Sequence, residues 1–171
     1  MLFIGDYVSP DDTAAAFEQA KLLDRVWTYD TTKPPPTLRE MVEARRTLLV
    51  LAEHKGGAPA WYTKGYGIFQ DTPYTFATPQ QFSCAKNRGP ADAPLFELNH
   101  FITNSEPPSV TEARAVNAYD VLMPRAEQCM QERGLLPNII AVDFYDQGDL
   151  LKVAQDLNER EPSDATTTSS G

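Results

Sequence analysis

The sequence predicts an α/β chain with a parallel sheet, and three observations carry that prediction. Strand-like and helix-like segments alternate along the 171 residues; the strand segments are near-continuous apolar runs; and their polar residues collect at one end. Alternating elements fold into parallel strands joined by helical crossovers. Unbroken apolar runs mark strands covered on both faces. Polar tips at the carboxyl ends suit the ligand-binding face of a (β/α) barrel, of which a full copy takes eight strands and ~250 residues. Four clear strands and one doubtful one are visible, so the expectation is a partial (β/α)8 barrel lacking its first strands, over residues 1–160.

Each element has a local reason. Residues 2–8 read as a strand. Ser9-Pro10-Asp11-Asp12 then supplies an N-cap, a Pro at the first helical position and an acid three residues on, which starts a helix to about Leu23. Residues 25–29 read as a short extended piece. After a Pro-rich connector, Thr37-Leu38-Arg39-Glu40 is a capping box that starts a helix to about Arg45. Residues 47–53 read as a buried strand ending in Glu53. The connection that follows, His54 to Pro94, is ~40 residues, a length usually tied to function, and residues 73–76 read as a short strand within it.

Residues 95–101 are the next strand, with Leu95, Glu97 and Asn99 on one face and Phe96, Leu98 and His100 on the other. Ser109-Val110-Thr111-Glu112 is a third capping box, and the helical pattern continues towards Gly134 with a break or kink before Pro124. The best organised stretch is 137–150. It predicts a strand with Ile139, Ala141, Asp143 and Tyr145 on one face and Ile140, Val142 and Phe144 on the other, then a helix from Leu150 to about Glu159 capped by Asp146. The Ser/Thr-rich tail 161–171 has nothing to bury and reads as disordered.

Composition narrows the function classes. A net charge of −9 with no basic stripe argues against a nucleic-acid partner. No apolar run approaches the ~20 residues of a membrane span. Cys84 and Cys129 lack metal-ligand spacing and are either two buried thiols or one disulfide. No cofactor motif is present.

The runs DYVSPDDTAAAFEQAKLL, TLLVLAEHKGG, FSCAKNRG, PLFELNHFIT and RAEQCMQERGLLPNIIAVDFYDQGDLLKVAQDLN resemble, in this order, the carboxyl-terminal part of the phosphatidylinositol-specific phospholipase C X-domain-like phosphodiesterases. The resemblance covers about residues 4–158. It implies a PLC-like TIM barrel that hydrolyses a phosphoric diester, with a phosphodiester or phosphoinositide-type small molecule or lipid as partner. It implies an exported parent, extracellular or at the cell surface.

In that family two histidines do general acid–base work near neutral pH. The chain has only His54 and His100, and neither matches those motifs. It therefore reads as a fragment without the catalytic pair. Asp143 matches the last-strand position where a carboxylate orients the catalytic imidazole, as in a triad; capping the next helix is its other reading. Gly5 replaces an acid that calcium-dependent relatives carry, so no metal is expected.

Five residues are candidates for substrate binding. Glu53 and Lys55 close the middle strand, and Lys55 can meet a phosphate as a point charge or simply be solvated. Trp61, with Tyr62 and Tyr66, can line a lipid or inositol pocket or cover the barrel mouth. Asn99 can bond a ligand hydroxyl or be a satisfied buried amide, and Tyr145 shares the face of Asp143. His100 reads as structural.

Two other functions fit the residues. One is a non-catalytic, ligand-binding degenerate barrel. The other is a glycoside hydrolase using Glu53, Glu97 and Asp143, which requires two carboxyls at ~5 Å or ~6.5–9.5 Å. Open sheet edges in a partial barrel also predict self-association of the chain expressed alone.

Overall fold

Two small parallel sheets organise the chain, each built from strands of three to five residues. The computed structural model describes residues 1–5, 7–104 and 106–159, so position 6 of the strand expected at 2–8 and the tail 161–171 lie outside the described residues. The first sheet contains β1 (Leu2–Ile4), β2 (Val50–Ala52) and β3 (Tyr62–Lys64), in that order and parallel. The second contains β4 (Phe69–Asp71), β5 (Leu95–Asn99) and β6 (Ile139–Ala141). The fold is mixed α/β as the sequence predicts, but six short strands in two three-stranded sheets close no barrel among the described residues.

The chain divides into two compact units. The first comprises Met1–Thr72 with Ala85–Glu97. Its core gathers Phe17, Val26, Val50, Ala52 and Tyr62, with Ile4, Leu22, Leu48 and Trp61 packed against them. β2 is buried at every position, as a strand covered on both faces is, which explains its unbroken apolar sequence. Helix α1 (Pro10–Gln19) starts as expected: the Ser9 hydroxyl accepts from the Asp12 N–H, and Pro10 opens the helix. Helix α2 (Leu38–Glu43) has both halves of the Thr37/Glu40 capping box. The extended piece at 25–29 reduces to one parallel bridge, Val26 to Leu48.

The second unit comprises Pro73–Cys84 and the described part of the chain from Leu98. Cys84 and Cys129 form a disulfide across a separation of 45 residues. It ties the 73–84 excursion to α4 (Tyr119–Arg133). Phe76, Ile102 and Val116 form a small core with Phe82 beside it. No strand forms at 73–76; instead the Thr103 N–H donates to the Phe76 carbonyl at 2.7 Å.

Two sequence expectations change here. The helix after Ser109 is divided into α3 (Val110–Val116) and α4 at Asn117–Ala118, and Pro124 sits inside α4. Asn117 causes the division. Its amide donates to the carbonyls of Asp143 and Gln147, and its own carbonyl accepts from the Asp149 N–H. The same contacts end β6 at Ala141. The chain then turns over the buried Asn117, Phe144 takes the left-handed φ of 50°, and the strand alternation expected through Tyr145 is lost. β6 is only half-buried. Helix α5 (Leu150–Asn158) begins after Asp149, not Asp146. Gly148 (φ 87°) lies against Asn117, where a Cβ would stand 2.7 Å away, so only glycine allows this turn.

Candidate functional site

The long connection after β2 is not a loop: it holds β3 and β4, and it brings charged side chains to the carboxyl ends of the first unit's strands. Glu53 follows β2, Asp71 ends β4 and Glu97 lies in β5. Arg88 joins them. Its Nη2 and Nε donate to Asp71 Oδ2 at 2.6 and 2.8 Å, its backbone N–H donates to Asp71 Oδ1 at 2.6 Å, and its Nη1 donates to Glu53 Oε1 at 3.0 Å. The guanidinium lies over the Tyr66 ring, 4.1 Å from its centroid, and the Tyr66 hydroxyl donates to Glu97 Oε2 at 3.1 Å. A chain Glu53–Arg88–Asp71 thus stands beside Tyr66–Glu97. Gly89 (φ 78°) sets the Arg88 backbone, since a Cβ there would meet the Phe69 carbonyl oxygen at 1.9 Å.

Burial and charge set the protonation of this cluster. Asp71 is 1% exposed, and the Arg88 guanidinium and backbone N–H satisfy its carboxylate oxygens, as a buried polar group requires. Burial pushes the Glu97 carboxyl up, and the negative charge of Asp71 adds to that. Burial and then Glu97 push the Tyr66 phenol far above its ordinary range. Burial lowers the Arg88 pKa, but the bonds to Asp71 and the charges of Tyr66, Asp71 and Glu97 together outweigh it and raise the pKa. One cation against three carboxylates leaves the cluster electronegative, with fixed donors and acceptors side by side. Such an array reads hydroxyl groups better than it reads a bare anion.

Of the other residues expected to bind substrate in this unit, Lys55 is exposed on the loop leaving β2. Trp61 packs on the core, its ring 5.0 Å from Phe17, so the structure places it as a packing residue. Tyr62 is buried in the same core. Tyr66 does reach the cluster. His54 lies 6.3 Å, ring to ring, from Tyr66.

In the second unit, Asp143 lines an open groove of about 480 Å³ with Phe101, Ile102, Thr103, Glu106 and the prolines 107 and 108. Burial raises its pKa. Asn99 is buried, and its carbonyl accepts from Arg125 Nη2 at 3.0 Å. His100 is fully buried; its Nε2 meets the Val116 carbonyl at 2.8 Å, and burial lowers its pKa to about 4. It is a neutral structural histidine. Tyr145 is 69% exposed beyond the end of β6, off the face on which the sequence placed it with Asp143.

A family model described as PI-PLC X 1 matches residues 2–158. The chain belongs to the PI-PLC X family. No curated protein matches it, and no solved structure does. Of the residues in the Arg88 cluster, Glu53 is among those the sequence singles out as substrate-binding candidates and Glu97 among the glycosidase acids, whereas Asp71 and Arg88 are not among them. Arg88 carries a legible signal, a lone Arg before a glycine in the run FSCAKNRG; Asp71 carries none, because a three-residue strand shows no periodicity. Among the described residues no group of three or more His, Cys, Asp or Glu side chains is arranged to hold a metal ion. No helix among them is long and apolar enough to cross a membrane.

Proposed function

We propose that this chain is a phospholipase C-like phosphodiesterase-type domain that binds a phosphoinositide-type headgroup, and that by itself it binds without cleaving. The observation that carries the reading is the Arg88 cluster at the carboxyl ends of β2 and β4, beside Glu97 of β5, in a chain matched to PI-PLC X from residue 2 to 158. In α/β folds ligands bind at that end. The fixed carboxylates and guanidinium suit the vicinal hydroxyls of an inositol ring. Lys55, two residues beyond Glu53, supplies a positive charge for the phosphate.

General acid–base cleavage needs a titrating group near neutral pH within reach of the reacting oxygen. His100 is buried, neutral and committed to Val116, which supports binding without turnover. Asp143 keeps the role of an imidazole-orienting carboxylate in this proposal, its pKa raised in the half-buried groove.

The test pairs a titration with an activity assay. Inositol 1-phosphate is titrated into the chain by calorimetry, and release of inositol phosphate is followed from phosphatidylinositol vesicles. Saturable binding, weakened tenfold or more in Glu53→Gln, with no release above background is the expected result. Absence of binding by the unmodified chain would overturn the reading, and turnover would overturn the non-cleaving half of it.

A further inference from the structure

The Pro-rich connector ahead of α2 forms an open groove of about 550 Å³, walled by Trp27, Tyr29 and the prolines 34–36, with Glu40 of α2 at its rim. The groove lies wholly within the first unit, and no residue of the Arg88 cluster lines it. Its volume falls in the range of ligand sites, roughly 300–1,000 Å³.

Local bonds hold the walls in place. The Trp27 N–H donates to the Leu48 carbonyl at 2.7 Å, beside the Val26 bridge to Leu48, so one wall is fixed to the segment that leads into β2. The Tyr29 hydroxyl donates to the Lys33 carbonyl at 2.7 Å. Asp30 Oδ1 accepts from the Thr32 N–H at 3.0 Å and from its hydroxyl at 2.6 Å, which folds the connector back on itself. The three successive prolines fix φ at about −65° and carry no backbone N–H. Tyr29 is buried, and Trp27, Pro35 and Pro36 are half-buried, so the groove presents rigid rings.

The polar groups still open in the groove define its ligand. The Asp30 and Lys33 charges offset each other at 3.3 Å, and the Tyr29 hydroxyl is engaged. The Trp27 indole N–H, in contrast, meets no acceptor among the described residues. Glu40 takes both Thr37 donors on Oε2, and its Oε1 meets no donor among the described residues. The Thr37 N–H and hydroxyl lower the Glu40 pKa, so the group is anionic at neutral pH.

The site therefore combines ring faces with an indole donor and a carboxylate oxygen. A saccharide brings a hydroxyl on nearly every carbon, and most of these would find no partner there. A polyproline II segment fits better: it makes no internal hydrogen bonds, so its carbonyls are free to accept, and its prolines have no N–H to satisfy. Such segments dock in aromatic-lined grooves. A basic side chain on the segment supplies the cation for Glu40 and suits a chain of net charge −9.

We propose that this groove docks a proline-rich segment of a partner protein in the polyproline II conformation, with the Trp27 indole N–H bonding a carbonyl of the segment and Glu40 pairing with its Arg or Lys. The proposal is independent of the headgroup reading.

The Trp27 indole N–H reports directly in a proton–nitrogen NMR spectrum of the 171-residue chain. Trp61 gives the other indole signal, and Trp27→Phe assigns the pair. The probes are a synthetic proline-rich peptide with one arginine, the same peptide with glutamine for arginine, and a glycine–serine peptide of equal length with the arginine. The arginine proline-rich peptide is expected to shift the Trp27 signal saturably and leave Trp61 unmoved. The glutamine peptide is expected to bind about fivefold more weakly, and the glycine–serine peptide not to saturate. Glu40→Gln removes the charge but keeps the capping box, which Gln completes as Glu does; in that variant the two proline-rich peptides are expected to bind alike. Trp27→Phe keeps a ring and loses the donor, and calorimetry is expected to find the arginine peptide about fivefold weaker, as the loss of one hydrogen bond implies.

No shift with the arginine peptide, equal binding of the glycine–serine peptide, or a Glu40→Gln chain that still prefers arginine overturns the proposal. A Trp27 signal that moves on dilution with no peptide present means that a second copy covers the groove, and one that moves with a cello-oligosaccharide but not with the peptide marks a saccharide site; either result overturns it as well.

Discussion

Arg88 in the first unit and Arg125 in the second both lie over aromatic rings, yet the two units handle the buried charge in opposite ways. Arg88 faces carboxylates, Asp71 at 2.6 Å and Glu53 at 3.0 Å, and its pKa is raised. Arg125, 6% exposed, donates to the carbonyls of Ser83 and Asn99 and stacks over Phe82 at 4.4 Å and Phe76 at 5.5 Å. Burial lowers its pKa to about 10, and its Nε is buried with no partner. Carboxylates at strand ends that hold a cation fit a ligand site, whereas carbonyls and rings that hold a cation make a strut. Arg125 pins the 73–84 excursion beside the disulfide; Arg88 presents an electronegative array at the strand ends.

The sharpest way to break this contrast is to remove each guanidinium. Arg88→Met takes the guanidinium away from the buried Asp71 carboxylate, which keeps the backbone N–H of residue 88, so urea denaturation is expected to show a loss of about 3–5 kcal/mol. Arg125→Met leaves only carbonyls behind and is expected to cost about 1–3 kcal/mol. Equal losses would mean that the two sites do not differ in the way their partners suggest.

Removing the disulfide probes the second unit alone. Cys84→Ser with Cys129→Ser releases a loop of 45 residues, which in the chain-entropy account costs about 4 kcal/mol. Amide hydrogen exchange is expected to accelerate in α4 and in residues 73–84, with β2 little changed.

Acid also separates the units. The folded pKa of His100, about 4, lies below its ordinary 6.5. An unfolded chain therefore takes up a proton that the folded one refuses. The stability this contributes is complete above pH 6.5 and is lost as pH falls towards 4, a loss of about 3 kcal/mol. Glu97 has the opposite sign. Its folded pKa is raised from 4.5, so its contribution is present at low pH and is lost as pH rises through the folded value. Exchange protection in α4 is expected to fall between pH 6.5 and 4 and to become nearly flat over that range in His100→Gln.

The smallest effect concerns the ring under Arg88. Tyr66→Phe removes one hydrogen bond, for about 1 kcal/mol. Because that bond lowers the Glu97 pKa, a carbon-13 titration is expected to find Glu97 raised further in the variant.

How much of this was legible follows from what each element depends on. The starts of α1, α2 and α3 were readable because Ser9, Thr37 and Ser109 cap them with side chains that reach only three residues ahead. β2 was readable because a strand covered on both faces must be apolar at every position. β3 and β4 were not, since three residues carry no period and their side chains, Tyr62-Thr63-Lys64 and Phe69-Gln70-Asp71, mix polar with apolar. The strand predicted through Tyr145 failed because a distant residue, Asn117, takes the Asp143 and Gln147 carbonyls.

The same division holds for function. The sequence by itself determined the family, the α/β class, the helix starts and the acid at the tip of β2, all properties that neighbours along the chain impose. Only the tertiary structure decided that Cys84 and Cys129 are joined, that the strands form two open sheets, and that Arg88 meets Glu53, 35 residues away. Those outcomes rest on hydrogen bonds and packing between segments far apart in the chain, which leave no local trace in either segment.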